Sequence, residues 1–158
     1  MKVVYNNGVV DVCPEAEELE VLRHSAAHVL AQAVKHLFPN AKLAIGPAVD
    51  DGFYYDIDID EKFTPDDLDK IEAEMKKIVK EDLEITRFTL SKAEAVKKFT
   101  AENEPYKVEL AEGIPDGDEI SFYSQGDFTD LCAGAHLMST GAVKAFKLTS
   151  ATGAYWRG

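Results

Sequence analysis

The sequence predicts an α+β fold in which an antiparallel sheet packs beside one long N-terminal helix, with shorter helices elsewhere. The first reason is a segment from Glu15 to about Phe38 in which apolar residues recur at the three-and-four spacing of a buried helical stripe. The second is a series of short β-branched and aromatic runs separated by turn signals. The third is that 46% of the 158 residues are hydrophobic, which is enough to bury the core of one globular domain.

The long helix is predicted to begin after Pro14, with acidic residues in its first turn where the helix dipole favours them, and to end at Pro39 and Asn40. Its expected buried stripe consists of Leu19, Leu22, Ala26, Leu30, Ala33 and Leu37. His24 and His28 lie roughly 140 to 180° from the centre of that stripe, taking about 100° per residue. The pair is therefore either a solvated surface feature or part of a functional site.

Short strands are predicted before and after this helix. Residues 2–5 and 9–12 flank an Asn-Asn-Gly turn, which predicts a small N-terminal hairpin. Residues 42–60 predict two strands around a Gly-Pro break and an Asp-Gly turn. One face of the second strand is expected to be buried, and it consists of Phe53, Tyr55, Ile57 and Ile59.

Two shorter helices have clear start signals. Thr64, followed by proline and two aspartates, is typical of a helix N-terminus, and Ser91 with Glu94 has the spacing of a capping box. Strands are expected around residues 85–89 and over residues 143–149. Residues in the segment 106–110 are ambiguous between helix and strand.

The balance of charge limits how this chain can bind nucleic acid. With 17 basic against 29 acidic residues, the formal net charge is −12, which argues against broad binding through a basic surface. Any nucleic acid must therefore be held locally. The candidates for one small basic patch are Lys35, Lys42, Lys107, Lys144, Lys147 and Arg157, although scattered solvated lysines are the simpler interpretation.

The sequence has neither an apolar run long enough to span a membrane nor an apolar segment behind a basic N-terminus, so we expect a cytoplasmic protein. Its two cysteines, Cys13 and Cys132, do not have the density of a secreted disulfide framework. We expect no bridge between them. Cys13 is interpreted as an ordinary buried or capping residue.

A second cluster of chemically active side chains lies far downstream of the histidine pair. Residues 121–136 predict a hairpin broken by a Gln-Gly turn. If its second strand is extended, Asp130 and Cys132 point to the same face, and Gly134 allows the chain to turn so that His136 joins them. We expect this cluster and the helical histidines to converge.

Two chemistries suit such a set of side chains. His-x-x-x-His on a helix together with Cys-x-x-x-His after a strand has the ligand types and spacings of a tetrahedral zinc site. The same residues suit metal-free hydrolysis, in which an imidazole is the general base for water and a carboxylate fixes its tautomer. Spacing alone leaves both alternatives open.

Several segments of the chain together resemble the editing domain, the second N-terminal domain, of bacterial-type threonyl-tRNA synthetase. They are RHSAAH at 23–28, AIGP at 44–47, DGFYYD at 51–56, DLCAGAH at 130–136 and GAYWRG at 153–158. The sister alanyl-tRNA editing domains share the His and Cys motifs but not the GFYYD or AYWRG stretches, which favours the threonyl branch. The resemblance predicts an aminoacyl-tRNA editing domain over residues 19–158, preceded by an N-terminal hairpin and lead-in over residues 1–18.

The resemblance implies an aminoacyl-tRNA ester hydrolase that edits mischarged tRNA by removing serine from threonine-specific tRNA. The implied parent enzyme is a class II aminoacyl-tRNA ligase. The implied partners are the tRNA acceptor end that carries the wrong amino acid and the catalytic and anticodon-binding domains of the parent synthetase. No membrane partner is implied.

By motif position, the resemblance implies a catalytic cleft that consists of His24, His28, Asp130, Cys132 and His136. Within it we assign water activation to the His24/Cys132 pair and an orienting role to the Asp130 carboxylate. Tyr55 and Lys107 are expected to line the substrate site. The other groups are assigned contacts to the amino group or the ribose.

The metal expectation follows from the branch to which the chain is assigned. The alanyl branch binds zinc with residues that correspond to His24, His28, Cys132 and His136. The threonyl branch works without zinc, so no cofactor is expected to be required, and Zn²⁺ is the alternative. The sequence departs from the usual family pattern at Ala133 and Ala135, where arginine and proline are usual.

Two other functions remain open at this stage. One is an alanyl-type, zinc-dependent aminoacyl-tRNA deacylase, which tightly bound zinc and loss of activity on chelation would favour. The other is a non-catalytic tRNA-binding module whose His/Cys site is structural. Chelation would unfold that module without removing any deacylase activity.

Overall fold

The computed structural model describes residues 2–5, 8–44, 48–49, 52–53, 55–59, 63–115, 117–132, 135–143 and 148, and it confirms the α+β class. In this part of the chain the α-helices are α1 (Glu15–Leu37), α2 (Pro65–Glu81), α3 (Lys92–Ala101) and α4 (Pro105–Glu112). The strands are β1 (Lys2–Val4), β2 (Val10–Val12), β3 (Lys42–Leu43), β4 (Ala48–Val49), β5 (Gly52–Phe53), β6 (Ile57–Asp58), β7 (Ile85–Leu90), β8 (Ile120–Gln125), β9 (Phe128–Leu131) and β10 (His136–Leu137). A 3₁₀ turn covers Thr140–Ala142.

Helix α1 is buried more widely than its apolar stripe predicts. The predicted stripe is wrong at its ends, because Leu19 and Leu37 are 53% and 38% exposed. From Val21 onwards α1 packs against α2, β10 and the β4–β5 pair, so the small and polar side chains between its leucines are covered as well. His28 is only 3% exposed, and its interpretation as a solvated surface residue is therefore wrong.

The start signals of the shorter helices are confirmed. Thr64 caps α2 and Ser91 caps α3, each in a reciprocal capping box with the acidic residue three positions later. The ambiguous segment 106–110 lies inside α4, which begins at Pro105 with the φ angle that proline supplies to a first helical turn. This helix is important for the site because it places Lys107 in the interior.

The predicted strands over residues 42–60 form two antiparallel pairs, β3 with β6 and β4 with β5. The expected buried face is confirmed at Tyr55, which is 9% exposed, and at Phe53, Ile57 and Ile59, which pack against the core. Residues 45–47, 50–51, 54 and 60 of this region lie outside the described residues.

The sheet β7–β8–β9 carries Asp130 and leads directly to Cys132, and the predicted hairpin is confirmed. β8 and β9 are joined through Gly126, whose φ of 58° is readily adopted by glycine. The Cys132 N–H donates to the Ser121 carbonyl at 3.0 Å, so the ladder continues one residue past β9. Asp130 and Cys132 are both buried, as expected for side chains that share a face.

The sheet β10–β1–β2 joins the two ends of the described chain. β1 and β2 form the predicted N-terminal hairpin, and β1 also pairs with β10, with Val4 opposite His136. The predicted lead-in therefore forms sheet structure with a strand that carries a site residue. The division of the chain at residue 18 stays a prediction.

Cys13 is 2% exposed, and it is not joined to Cys132 by a disulfide, as expected. Among the described residues, the helices are too short or too polar to cross a membrane. The predicted strand over 143–149 lies mostly outside the described residues, and so does the GAYWRG segment at 153–158.

Candidate functional site

The two predicted clusters meet in the folded chain. Helix α1 presents His24 and His28 one turn apart, toward the end of β9 and the start of β10. The Cys132 sulfur lies 2.9 Å from His24 Nε2 and 3.3 Å from His136 Nε2. The thiol is therefore held between an imidazole from the helix and an imidazole from the sheet.

The third imidazole completes the cluster. The ring centroid of His136 lies 4.6 Å from that of His24 and 4.4 Å from that of His28. One potential ligand atom from each of His24, His28, Cys132 and His136 lies within 4.8 Å of the others. The expected convergence of these groups is confirmed, while their catalytic roles stay predictions.

A buried ion pair lies beside the imidazoles. The Lys107 ammonium donates to Asp130 Oδ1 and, at 2.7 Å, to the Tyr55 hydroxyl, while that hydroxyl donates to Asp130 Oδ2. Both charged side chains are almost wholly buried. His28 Nε2 lies 3.7 Å from Asp130 Oδ2, which connects this triad to the histidine cluster. The residues expected to line the substrate site thus belong to one network with the expected catalytic groups.

The imidazoles are held in their neutral form. Burial lowers the pKa of His24 below the ordinary value of 6.5, and it lowers the pKa values of His28 and His136 well below it. The His24 imidazole and the Lys107 charge lower the pKa of His28 further. At neutral pH the less strongly shifted His24 ring is therefore unprotonated and available as a general base.

The Tyr55 phenol is held in its protonated form. Burial is the largest cause, and the charge and hydrogen bond of Asp130 follow, so the pKa of Tyr55 is raised well above 10.0. The phenol therefore acts as a hydrogen-bond donor to the carboxylate. This orients one oxygen of Asp130 while Lys107 holds the other.

Exposure differs within the cluster. His24 is partly exposed and Cys132 is 9% exposed, whereas His28 is 3% exposed and His136 is fully buried. Among the described residues, the His24/Cys132 pair is thus the part of the cluster that meets solvent most directly. This supports placing water at that pair and not at the deeper histidines.

Sequence reasoning missed two side chains that touch the cluster. Ser25 is fully buried, and its hydroxyl contacts His136 Nδ1 at 3.3 Å. The Tyr123 ring packs on His136 with centroids 4.3 Å apart, and burial raises the pKa of its phenol to about 12. Position could have indicated both, because Ser25 lies between the helical histidines and Tyr123 is the cross-strand partner of Asp130.

The proposed basic patch is wrong for two of its members. Lys107 is 2% exposed and paired with Asp130, and Lys35 is paired with Glu104 at 2.8 Å. Their charges are therefore not free for a phosphate backbone. The remaining described member is Lys42, since Lys144, Lys147 and Arg157 lie outside the described residues together with Ala133 and Gly134.

The donor set of His24, His28, Cys132 and His136 suits zinc in type and number. Ligands of a tetrahedral zinc are separated from one another by roughly 3.3–3.8 Å. The 2.9 Å separation between the Cys132 sulfur and His24 Nε2 is shorter than this and corresponds to a close hydrogen-bond contact. The same side chains would hold zinc after the sulfur and the imidazole move apart by less than 1 Å, on the order of the difference between these separations.

The chain has clear relatives among known proteins. Residues 120–155 match the family model for the threonyl and alanyl tRNA synthetase second additional domain. The chain is 65% identical over 142 residues to a threonine–tRNA ligase of Carboxydothermus hydrogenoformans and 62% identical over 139 residues to one of Acetivibrio thermocellus. The resemblance to a threonyl-tRNA synthetase domain is confirmed.

The threonine–tRNA ligases match most of this chain but are much longer than it. The two relatives above match 90% and 88% of the chain, which spans 22% of the length of each. A threonine–tRNA ligase of Caldanaerobacter subterraneus is 54% identical over 168 residues, covering 98% of the chain and 26% of its own length. The similarity therefore includes both clusters of predicted site residues, whereas most of the length of these threonine–tRNA ligases has no counterpart here.

Proposed function

We propose that this domain hydrolyses the ester bond between serine and threonine-specific tRNA, as the editing part of a threonyl-tRNA synthetase. The observation that carries the proposal is the His24/Cys132 pair at the exposed side of a buried histidine cluster, beside the Lys107–Asp130 ion pair. Neutral imidazoles at the opening supply the base that water needs. The tRNA part of the substrate is inferred from the relatives, which are named threonine–tRNA ligases.

The proposed reaction is an ester hydrolysis with water as the nucleophile. Neutral His24 takes a proton from water, directly or through the thiol of Cys132, while the water oxygen adds to the ester carbonyl carbon. The bond from that carbon to the ribose oxygen then breaks. The proton returns to the ribose oxygen, which leaves free serine and intact tRNA.

The Lys107–Asp130–Tyr55 network is assigned the recognition of the substrate. Asp130 is a fixed carboxylate that suits the ammonium group of an aminoacyl ester, and Lys107 offers donors to the ester or the ribose. Because these groups are ordered by each other before substrate arrives, little reorganisation is needed on binding. The mischarged acceptor end would enter past His24.

Selectivity for serine follows from size. Serine lacks one methyl group of threonine, and such a difference is worth roughly 1–3 kcal/mol in a binding pocket. That difference is too small for accurate selection in a single step, so a second, smaller pocket that hydrolyses the wrong product is needed. Threonine would be excluded from the editing site by its methyl group.

A zinc-dependent deacylase of the alanyl type is the second candidate, favoured by the four nitrogen and sulfur donors that lie within 4.8 Å of one another. His24, His28, Cys132 and His136 would hold the metal. Zinc in such a site would supply Lewis acidity and lower the pKa of bound water. A purely structural zinc site in a non-catalytic tRNA-binding module is the third candidate.

Hydrolysis of seryl-, threonyl- and alanyl-tRNA measured side by side, with zinc content determined on the same sample, tests these alternatives. We expect fast release of serine, little release of threonine, and unchanged activity in EDTA. Release of alanine that stops on chelation would establish the alanyl-type reading. A folded chain that hydrolyses none of the three substrates would overturn the editing proposal.

A further inference from the structure

Ser25 lies beneath the histidine cluster without belonging to any role assigned above. It is fully buried on α1, between His24 and His28 in sequence. Its hydroxyl oxygen accepts the Leu137 N–H at 3.1 Å and contacts His136 Nδ1 at 3.3 Å. Ser25 therefore ties the helix to β10 at the residue that faces the thiol.

The direction of these hydrogen bonds follows from counting donors and acceptors. Since the Ser25 oxygen already accepts from Leu137, its own proton needs an acceptor, because a buried hydroxyl without one is costly. Among the side-chain contacts of Ser25 in the described residues, His136 Nδ1 is the acceptor available. The hydroxyl thus donates to Nδ1.

This donation decides where the single proton of a neutral imidazole lies. With Nδ1 of His136 as an acceptor, the ring proton is on Nε2, which faces the Cys132 sulfur at 3.3 Å. The sulfur then accepts from His136, and its own proton is directed to His24 Nε2, 2.9 Å away. The hydrogen bonds run in one direction from Ser25 to His24.

We propose that Ser25 is a positioning residue that holds His136 in the Nε2–H tautomer and thereby orients the Cys132 thiol toward His24. The tautomer assignment stands on the contacts of Ser25 alone. Its catalytic consequence rests on the proposed editing function. Without the serine hydroxyl, the imidazole of His136 has no fixed partner at Nδ1, and the thiol loses its preferred direction.

The same assignment distinguishes the metal-free site from a zinc site. If Nε2 of His136 bound a metal, its ring proton would have to lie on Nδ1, facing Ser25 as a donor. The Ser25 proton would then need another acceptor. The tautomer of His136 is therefore a direct readout of which state the chain adopts.

The test is the long-range ¹H–¹⁵N spectrum of the 158-residue chain with labelled histidine, recorded in EDTA at neutral pH. The His136 signals are identified by their loss in His136→Asn. We expect wild type to show protonated Nε2 and unprotonated Nδ1, and Ser25→Ala to show a mixture of tautomers. A protonated Nδ1 in wild type, or a Ser25→Ala spectrum without change, would overturn the proposal.

Thr140 supplies a matched control for the loss of a buried hydroxyl. Its oxygen accepts the Leu83 N–H at 2.8 Å and its proton goes to the Ile78 carbonyl at 3.0 Å, in a fully buried position away from the cluster. Thr140→Val therefore removes as many side-chain hydrogen bonds as Ser25→Ala. It should leave the His136 tautomer unchanged, and the same mixture in both variants would contradict a specific role for Ser25.

Kinetic measurements on Ser25 variants test whether the His136 tautomer affects the hydrolysis reaction. Ser25→Ala should lower kcat for seryl-tRNA hydrolysis by roughly 10- to 100-fold with little change in KM, because it acts through an outer partner of a reacting group. Ser25→Thr keeps the hydroxyl and should restore the tautomer and most of the rate. If wild type hydrolyses no seryl-tRNA, the editing proposal fails while the spectrum still decides the role of Ser25. A normal rate in Ser25→Ala with a mixed tautomer would remove the catalytic consequence.

Discussion

Helix α1 carries histidines in two environments that shift the imidazole pKa in opposite directions. His28 is buried in the cluster, and desolvation together with nearby cations lowers its pKa well below the ordinary value. His36, two turns further on, is partly exposed between Glu74 and Asp127, at 2.9 Å from an oxygen of each. Burial alone would lower the pKa of His36, but these two carboxylates raise it.

The comparison shows that burial, together with a nearby cation, can outweigh a carboxylate close to an imidazole. His28 also faces a carboxylate, that of Asp130 at 3.7 Å, yet its pKa is lowered. The charge of Asp130 is already neutralised by Lys107, and the Lys107 charge repels a second proton on His28. At His36 no cation intervenes among the described contacts, so the imidazole is stabilised as a cation.

The largest expected effect is a difference in hydrolysis rate between a variant of the histidine cluster and a variant of His36. His24→Ala should reduce the rate of seryl-tRNA hydrolysis by roughly 10²- to 10⁴-fold, because it removes the proposed general base. His36→Ala on the same helix should leave the rate within about twofold, since surface substitutions of this kind change little beyond local stability. Single-turnover hydrolysis with saturating enzyme measures both. Equal rates for the His24 variant and wild type would refute the assignment of water activation.

The second prediction concerns the loss of Lys107, the cation that distinguishes the environment of His28 from that of His36. Lys107→Met leaves Asp130 buried without its partner, which typically costs about 3–5 kcal/mol in unfolding free energy. Asp130 would then also raise the pKa of His28 toward the behaviour of His36. Urea unfolding at neutral pH measures the loss of stability.

The double variant Lys107→Met/Asp130→Asn is the control for this second prediction. It has no buried charge to leave unpaired, so it should recover a large part of the lost stability. If the single and double variants are equally destabilised, packing around Lys107 outweighs its charge. The comparison between His28 and His36 would then need another explanation.

Much of this site was predictable from sequence because short-range spacing has direct consequences in regular structure. His24 and His28 had to share one side of a helix, and Asp130 and Cys132 had to share one face of a strand. Both expectations are confirmed by their convergence. That the two segments meet is a tertiary fact, which was expected here from the complementary side-chain types of the two clusters and was supported by the family resemblance.

The wrong predictions concern features that depend on neighbours far along the chain. Leu19 and Leu37 belong to an apolar stripe but lie where α1 is least covered, so pattern alone placed them in the core. Lys107 was a candidate for both the basic patch and the substrate site, and only the position of α4 next to Asp130 explains its burial.

The third prediction concerns stability in mild acid. The pKa values of His24, His28 and His136 are lower in the folded chain than the unfolded value of about 6.5, so the unfolded chain binds more protons below that pH. The free energy of unfolding should therefore fall as the pH drops below about 6.5, by up to about 1.4 kcal/mol per pH unit for each imidazole. Urea unfolding in EDTA between pH 5 and pH 8 measures this slope. His136→Gln should reduce it, and a slope of opposite sign would contradict neutral, buried rings.

The smallest predicted effect belongs to His36, and it has the opposite dependence on pH. Because the folded pKa of His36 is raised, its contribution is fully present below the unfolded value of about 6.5 and is lost as the pH rises through the folded pKa. Its partner Asp127 has a lowered pKa, so the contribution is also lost as the pH falls through the folded pKa of that carboxyl. His36→Gln should therefore cost about 0.2–1 kcal/mol between these limits, since the pair is partly exposed and screened by solvent. Stability curves of wild type and variant should converge in alkaline solution. Curves that stay parallel to high pH would mean that His36 contributes by packing or by neutral hydrogen bonds, and the charge-based contrast with His28 would be lost.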